Sequence, residues 1–346
     1  MKSWDVIIAG AGLIGVSLAL ELRERGATVL VLDRGEPGSE ASSAAAGMLA
    51  AADPETPEAL RPMAVESAQM FAAFVQKIES AAGFQVDFRR VGTIALLSEN
   101  AAPREYRSLS AVELQRLEPS IHPSGHSAYF VREDSVDPHL LMRAALAAAR
   151  TLGVEVRGQT AVTEMRAREN AVEVLTEIET FPAAFAVDCR GAWSGVPVRP
   201  RKGQMLYVHS RTSVLQHVLR APDVYIVPRS SGKILIGATV EDVGFDKSVD
   251  QSTIHQLLNA AAKYLPALAS AQITQSWAGL RPGTPDDLPI IGPTDIPNVF
   301  VATGHFRNGI LLSPITTVIM ADLIFGHPSR LDIRAFSPDR FRNTRK

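Results

Sequence analysis

The sequence predicts an α/β fold in which a Rossmann-like domain carries an inserted domain built on an antiparallel sheet. Two observations support this class. Residues 5–32 indicate a strand, a glycine-rich turn, an amphipathic helix and a second strand, the βαβ unit of nucleotide-binding folds. Several later segments alternate apolar and polar residues, as antiparallel strands with one exposed face do. With 346 residues, 46% of them hydrophobic, the chain can bury the core of one large domain or of two in close contact.

The glycines of the first turn are spaced to bind a dinucleotide. In "GAGLIG", Gly10 allows the tight turn, Gly12 the approach of a pyrophosphate to the backbone, and Gly15 the close packing of helix on strand. Asp33 ends the second strand 18 residues after Gly15 (33 − 15), where a carboxylate can accept hydrogen bonds from ribose hydroxyls. An acid at this position disfavours NADP, so FAD and NAD remain as candidates.

The next segment favours a flavin. Residues 38–51, "GSEASSAAAGMLAA", are small enough for the backbone to approach a flat ring system, and Ser42 and Ser43 offer hydroxyls to phosphate oxygens. The alternative is an alanine-rich helix packed tightly against a neighbour. This segment alone does not decide between the two.

The remaining elements predict a nucleotide domain that the chain visits three times. Long helices are expected at 58–82 and 138–153, strands at 86–98, 127–138, 202–210, 223–240 and 273–283, and a further apolar helix after Gly309. We predict an FAD-binding domain from 1–85, 137–196 and 276–346, and a substrate-binding domain from 86–136 and 197–275. A cleft between two such domains is where small-molecule sites tend to lie.

Charge and cysteine usage limit the partners. The chain has 35 basic and 37 acidic residues, a net charge of -2, so it offers no general attraction for nucleic acid or anionic lipid. Cys189 is the only cysteine, which excludes an intrachain disulfide and favours a reducing, cytoplasmic location. The eight histidines lack metal-ligand spacings. We expect no metal, no membrane span and no nucleic acid.

Six motifs resemble, in order, those of the flavin-dependent D-amino-acid oxidase family, and in particular its glycine-oxidase branch. They are "GAGLIG", "SSAAAGMLAA", "GAWSG", "YIVPRSSGKILIGAT", "AGLRPGTPDDLPIIG" and "GHFRNGILLSP". The resemblance covers nearly the whole chain. It implies an FAD-binding Rossmann-like domain of the glutathione-reductase type, an inserted antiparallel-sheet substrate domain, noncovalent FAD, a small amino-acid substrate, reoxidation by O2 to give H2O2, and a homo-oligomer, often a tetramer. A role in thiamine thiazole synthesis rests on the same resemblance.

The family pattern assigns residues to each part of the cofactor. Leu13 and Ile14 would lie near the phosphates, Asp33 and Arg34 near the ribose and adenine, and Val162 against the adenine. A helix beginning around Asn308 would direct its amides at the flavin pyrimidine edge, where negative charge collects on reduction. The full predicted cofactor set is Gly10, Gly12, Leu13, Ile14, Gly15, Asp33, Arg34, Ser42, Ser43, Ala46, Gly47, Met48, Val162, His305, Phe306, Arg307, Asn308, Gly309, Ile310 and Leu311.

Three residues are predicted to bind the substrate: Arg281, Arg307 and Tyr225. An arginine can hold a carboxylate through two hydrogen bonds and so place the Cα above the flavin N5. Alternatively, Arg281 pairs on the surface with Asp286 or Asp287, and Tyr225 is an ordinary strand residue. No general base is predicted, because hydride transfer from a neutral amine needs positioning rather than a protein base.

Two other functions remain open from the sequence. A dehydrogenase would pass electrons to a quinone or a protein acceptor, and oxygen access cannot be read from motifs. A noncatalytic flavin-binding subunit would keep the glycine motif but not the carboxylate-binding arginine. Cys189 lies outside the C-terminal stretch where some members of the family attach flavin, so we expect no covalent bond.

Overall fold

The computed structural model describes residues 3–98, 101–209 and 215–344. The first half contains β1 Trp4–Ala9, α1 Leu13–Glu24, β2 Val29–Leu32, α2 Ala41–Ala44, β3 Met48–Leu49, α3 Arg61–Ala82, β4 Phe88–Arg89, β5 Thr93–Leu97, β6 Arg107–Leu109, α4 Ala111–Leu117, β7 Ser127–Val131, β8 Asp134–Val136, α5 Pro138–Thr151, β9 Glu155–Arg157, β10 Val162–Arg168 and β11 Ala171–Thr176. The second half contains β12 Thr180–Asp188, β13 Arg199–His209, β14 Val218–Arg220, β15 Tyr225–Pro228, β16 Lys233–Gly237, α6 Gln251–Tyr264, β17 Ile273–Gly283, β18 Ile290–Pro293, β19 Val299–Thr303 and α7 Ser313–Ile324. Short 3₁₀ helices cover Glu58–Leu60, Gly191–Trp193, Pro266–Leu268, Phe306–Asn308, Arg334–Phe336 and Pro338–Thr344.

The first sheet is parallel at its centre. Strands β9, β2, β1, β12 and β19 lie side by side and run in the same direction. The long strand β12 has two partners on one edge, antiparallel β11 along its first half and parallel β19 along its end. Because β1 and β2 are buried along almost their whole length, their continuous apolar runs suit the centre of a covered sheet.

Four helices cover one face of this sheet. The apolar sides of α1, α3, α5 and α7 form one core with the strands. Helix α7 is apolar on nearly all sides because it is buried between α1, α3 and the sheet. Asp137 caps α5 by accepting hydrogen bonds from the His139 and Leu140 amides, at 2.9 and 3.2 Å.

The second sheet has eight strands in the order β17, β13, β16, β15, β14, β5, β7 and β6. Its neighbouring strands are antiparallel except for β14 and β5, which are parallel. Helix α6 packs on one face through Ile254, Leu257 and Ala261. A small third sheet, with the order β3, β8, β4, lies where the chain passes from the first sheet to the second.

The structure changes three details of the predicted elements. The last helix begins at Ser313 rather than near Asn308, because a 3₁₀ turn at Phe306–Asn308 precedes it. Strand β17 pairs with β13 as far as Gly283, so residues 276–283, which the predicted division gives to the FAD-binding domain, lie in the second sheet. The strand predicted at 202–210 extends over Arg199–His209, and Ser210 lies outside the described residues. The domain division stays a prediction.

Candidate active site

A cavity of about 930 Å³ runs between the two sheets. One end lies at the carboxyl ends of β1 and β2, where nucleotides bind in open α/β sheets. The other end is lined by β15, β16 and β17 of the second sheet. Most of the predicted site residues line it, but Gly15, Ser43 and Leu311 do not.

Glycine is required twice in the first turn by backbone contacts. A Cβ on Gly10, which has a φ of +106°, would lie 2.3 Å from the carbonyl oxygen of Cys189. A Cβ on Gly15 would lie 2.0 Å from the carbonyl oxygen of Gly10. The two glycines therefore bring α1 onto the end of β1 and point its N-terminus into the cavity, which suits a pyrophosphate.

Ser42 and Asp33 hold this turn in place. The Ser42 hydroxyl accepts a hydrogen bond from the Leu13 amide at 2.9 Å. The Asp33 carboxylate accepts from the Ala11 amide at 2.7 Å and from the Gly35 amide at 2.8 Å. Because a carboxylate has about four acceptor positions, Asp33 can still accept from ribose hydroxyls. Asp33, which is predicted to bind the ribose, thus also fixes the turn that follows β1.

Two predicted cofactor residues are held away from the cavity. The Ser43 hydroxyl donates to the Gly38 carbonyl at 2.6 Å, inside its own turn. Leu311 is buried in the helical core, and its carbonyl accepts from the Ser67 hydroxyl at 2.6 Å. Neither residue lines the cavity, and their predicted contacts with the cofactor stay predictions.

An aromatic residue that the prediction omitted lies at the nucleotide end. Trp193 lines the cavity, and the Arg34 guanidinium lies 3.8 Å from its ring centroid. Phe245, from the loop after β16, stacks on the same ring with centroids 5.4 Å apart. The motif "GAWSG" contained the signal, since an aromatic residue follows a glycine at the end of a parallel strand. Stacked rings and a guanidinium provide flat surfaces of the kind that bind an adenine.

The opposite end of the cavity brings together Tyr225, Arg281 and Arg307. The Arg281 guanidinium lies directly over Gly203, where a Cβ would be 2.2 Å from its Nη1. Its Nη1 also donates to the Thr239 carbonyl at 3.2 Å. Burial raises the pKa of the Tyr225 hydroxyl above its ordinary value, although the Arg281 charge beside it acts in the opposite direction. Tyr225 is therefore a neutral hydrogen-bond donor next to a cation.

The surface alternative for Arg281 is not what the structure shows. Asp286 instead forms an ion pair with Arg340 at 2.8 Å. Arg307 is half-exposed at the cavity mouth, where it pairs with Glu55 of the loop after β3. The two arginines therefore contribute positive charge from opposite sides, one from the second sheet and one from the loop before α7.

His305 is not a cation at this site. It is almost completely buried, its Nε2 lies 3.1 Å from the Thr316 hydroxyl of α7, and burial lowers its pKa to about 3. A neutral imidazole here joins the 304–310 loop to α7 by a hydrogen bond. The positive charge near residues 305–310 comes from Arg307.

A buried ionic cluster that the sequence did not predict borders the cavity. Arg220 lies 3.0 Å from a carboxylate oxygen of Asp53, 3.2 Å from one of Glu133 and 2.7 Å from the Tyr106 hydroxyl. Burial raises the pKa of Glu133 to about 7, while Arg220 opposes the rise and Asp53 adds to it. Tyr106 also donates to the Ala52 carbonyl at 2.8 Å, so the cluster holds the loop after β3.

The site fits FAD in its shape and its donor groups. Gly10 and Gly12 leave room at the N-terminus of α1 for a pyrophosphate, with Asp33 placed for a ribose. The small residues Ala44 to Gly47 face the loop 305–310 across the cavity, leaving a path from the nucleotide end to Arg281. A continuous cavity of this volume between a nucleotide turn and an arginine suits a dinucleotide with a second flat ring system.

Comparison with known proteins gives the class. The chain belongs to the FAD dependent oxidoreductase family (DAO), whose model matches residues 5–323. This confirms the predicted family, the predicted α/β fold class and the prediction of an FAD-dependent enzyme.

The similar proteins fall into two groups by length. The glycine oxidase of Bacillus licheniformis is 35% identical, with 98% of each chain covered. The bifunctional protein ThiO/ThiG of Trichormus variabilis is 36% identical over 97% of this chain, but the chain spans only 55% of that relative. Among solved structures, the glycine oxidase from Geobacillus kaustophilus superposes with a TM-score of 0.93 at 31% identity, covering 98% of this chain and 99% of that one.

Two absences were found within residues 3–98, 101–209 and 215–344. In these ranges no three His, Cys, Asp or Glu side chains are grouped so that they could hold a metal ion. The helices of the same ranges include none that is both long and apolar enough to cross a membrane.

Proposed function

We propose that this chain is an FAD-dependent oxidase of small amines, with glycine as the leading substrate and sarcosine or small D-amino acids as others. The observation that carries the proposal is the placement of Arg281 beside Tyr225 at the far end of the cavity from the Gly10 turn. The relatives named glycine oxidase support the choice of substrate.

Each residue has a defined part in this reaction. Arg281 binds the substrate carboxylate through its planar fork, and the neutral Tyr225 hydroxyl donates a further hydrogen bond to it. Arg307 adds positive charge at the mouth and, through Glu55, brings the loop after β3 over the site. Bound FAD would accept a hydride from the substrate Cα at N5 and return the electrons to O2 as H2O2. Because the amine reacts in its neutral form, the chain supplies positioning and no general base.

The cofactor is proposed to be noncovalent. Cys189 is the only thiol of the chain, and burial, together with nearby Asp188, raises its pKa well above the ordinary value. A thiol that stays protonated is a poor nucleophile. Flavin should therefore leave the protein on acid precipitation.

The setting of the reaction is proposed from the relatives and the composition. Similarity to ThiO/ThiG supports a role in which the imine product is used in thiamine thiazole synthesis. The single cysteine supports a cytoplasmic location, and the family resemblance supports a homo-oligomer.

A substrate panel tests the proposed function. Purified, FAD-loaded protein is assayed for peroxide in air with glycine, sarcosine, D-alanine, D-proline and L-alanine. Glycine and sarcosine should give the fastest rates. Reduction of an artificial electron acceptor without peroxide would instead identify a dehydrogenase. Activity in neither assay would remove the proposal in favour of a noncatalytic flavoprotein.

A matched pair of arginine variants links the activity to the cavity. Arg281→Ala removes the carboxylate-binding fork, whereas Arg199→Ala removes an exposed arginine of the neighbouring strand β13 that pairs with Asp242 at 3.1 Å. Only Arg281→Ala should raise KM for glycine. Equal KM values in the two variants would place the carboxylate site elsewhere.

A further inference from the structure

Arg229 is a buried arginine that lies between the second sheet and the loop predicted to contact the flavin. It directly follows β15, the strand that begins with Tyr225. Only 1% of its side chain is exposed. Its Nη2 donates to the Ala46 carbonyl at 2.6 Å, and its Nη1 donates to the Val136 carbonyl at 2.9 Å. One guanidinium therefore joins three segments that are far apart in the chain.

The charge of Arg229 is only weakly compensated. Its nearest carboxylate in an ion pair is that of Asp137, with an oxygen 4.0 Å from Nε. Among the described residues, that Nε has no hydrogen-bond partner. A buried cation usually has a carboxylate in direct contact, and here two neutral carbonyls take that place. Such an arrangement leaves positive potential in a region of low dielectric.

The segment that Arg229 holds has little freedom to move. A Cβ on Gly47 would lie 2.0 Å from the Val136 carbonyl oxygen, so this loop is already pressed against β8. The Trp277 indole donates to the Ala44 carbonyl at 3.1 Å from the same side as Arg229. Side chains of the second sheet thus fix residues 44–47 at two carbonyls.

We propose that Arg229 is a positioning residue of the flavin site, which fixes the Ala46 carbonyl and places a buried positive charge behind the flavin loop, so that reduced flavin is favoured. The proposal rests on the proposed use of Ala46, Gly47 and Met48 as flavin contacts. Reduction adds negative charge to the flavin ring, and a fixed cation nearby stabilises that charge more than it stabilises the neutral oxidised ring. Because Arg229 touches Ala46 and not the cofactor, it acts through the loop and through its field.

The test measures the midpoint potential of bound FAD by equilibration with a reference dye. Arg229→Met keeps the bulk of the side chain and removes its charge. We expect the ratio of reduced to oxidised flavin at a given potential to fall about tenfold, which for a two-electron couple is about 30 mV. Arg229→Lys keeps the charge but lacks the planar fork whose two nitrogens reach the two carbonyls, so its midpoint potential should stay near wild type while FAD binds more weakly.

Asp137→Asn gives a second test with the opposite sign. Asparagine can still cap α5, so the fold is retained while the carboxylate next to Arg229 is removed. The potential should rise above that of wild type. This variant keeps the proposal testable if Arg229→Met does not fold. If Arg229 had only a structural role, the midpoint potential would not rise in Asp137→Asn.

Arg89→Met is the control. Arg89 reaches the same hairpin through the Ser230 hydroxyl at 3.4 Å, and it donates to the Gln216 carbonyl at 2.9 Å. Neither partner lies in the flavin loop, so the midpoint potential of Arg89→Met should match that of wild type. The proposal is overturned if Arg229→Met and wild type have the same midpoint potential, or if the potential of Arg229→Lys falls as far as that of Arg229→Met. It is also overturned if Asp137→Asn leaves the potential unchanged. The measurement needs no substrate, so failure of glycine as a substrate would not affect it.

Discussion

The two ends of the cavity are built in different ways. At the nucleotide end, backbone atoms in one short stretch form the site, and Gly10 and Gly15 are required because other backbone atoms lie where a side chain would be. At the other end, the side chains proposed to bind the substrate are those of Tyr225, Arg281 and Arg307, which come from two strands and a 3₁₀ turn.

The difference has a physical consequence for mutation. A backbone site fails when any extra atom is added, because the main chain cannot move without shifting a helix or a strand. A side-chain site loses only the interactions of the group that is removed, and its neighbours stay in place. We therefore expect changes at the nucleotide end to affect folding and cofactor together, and changes at the substrate end to affect kinetics alone.

The largest effect is expected for Gly15→Ala. Its Cβ would collide with the Gly10 carbonyl at 2.0 Å, so α1 must shift away from the pyrophosphate position. We expect FAD affinity to fall at least about a hundredfold and the free energy of unfolding to fall by about 1–3 kcal/mol. Fluorescence titration with FAD and urea unfolding measure the two effects.

Gly26→Ala is the matched control for this change. Gly26 has a φ of +93° but no atom within 4 Å of the added Cβ. The free energy of unfolding of Gly26→Ala should fall by on the order of 1 kcal/mol because of backbone strain, and the variant should bind FAD as wild type does. Wild-type FAD affinity in Gly15→Ala would show that the nucleotide end tolerates side chains after all.

The next effect is expected for Arg281→Ala at the substrate end. Loss of the charged fork should lower kcat/KM for glycine by about a hundredfold to a thousandfold, chiefly through KM, with FAD still bound. Arg281→Lys should recover only part of this, because an ammonium lacks the fork. Steady-state kinetics and the flavin absorbance of the same samples check both statements. Unchanged kinetics would remove Arg281 from the site.

A smaller effect is expected from the ionic cluster beside the cavity. Because burial raises the pKa of Glu133 to about 7 from an ordinary 4.5, the folded chain binds this proton more tightly than the unfolded chain. The free energy of unfolding should therefore decrease as pH rises from 4.5 through 7, by on the order of 2–3 kcal/mol from this group.

Urea unfolding of wild type and Glu133→Gln across this pH range isolates that contribution. The variant lacks the titrating group, so its stability should decrease less with pH than that of wild type. Parallel pH profiles for the two proteins would contradict the assignment of the titration to Glu133.

The smallest effect is expected for Tyr225→Phe. Loss of one hydrogen bond to a charged carboxylate should raise KM for glycine about tenfold and leave FAD affinity unchanged. Because burial raises the pKa of Tyr225 above its ordinary value of 10.0, the hydroxyl stays a donor at neutral and mildly alkaline pH. The ratio of KM values should thus be the same at neutral pH and one unit above it. A ratio that falls at the higher pH would mean that Tyr225 ionises there.

The same contrast explains what could be predicted from the sequence. The Gly10 turn and Asp33 lie within one βαβ unit, so local spacing sufficed to predict them. Arg229 bonds a carbonyl 183 positions away in the sequence, and Arg220 bonds a carboxylate 167 positions away. No local pattern marks such pairs, because the partner is set by how the two sheets meet.

Two differences between the expected and the observed structure have simpler causes. The last helix was expected near Asn308 because apolar residues begin at Ile310, yet His305 to Asn308 form a separate turn before α7. Ser43 was expected to contact the cofactor together with Ser42, whereas its hydroxyl donates to the Gly38 carbonyl, because neighbouring residues in a single helical turn point in different directions. The hydrophobic pattern of a sequence locates a buried helix, but it locates the first residue of that helix less well.

Cys189, the single thiol of the chain, can report slow local openings of the structure around it. Cys189 directly follows β12, its amide donates to the Ala9 carbonyl at 2.7 Å, and its thiol is buried. Cys189 lines the nucleotide end of the cavity but is only 8% exposed, so a thiol reagent reaches it during local openings of that wall, and the labelling rate counts those openings. Since FAD bound at the Gly10 turn would cover the same wall, FAD in excess should slow the labelling by a factor that grows as the ratio of FAD concentration to Kd. One cysteine thus allows cofactor retention to be timed without any engineered probe.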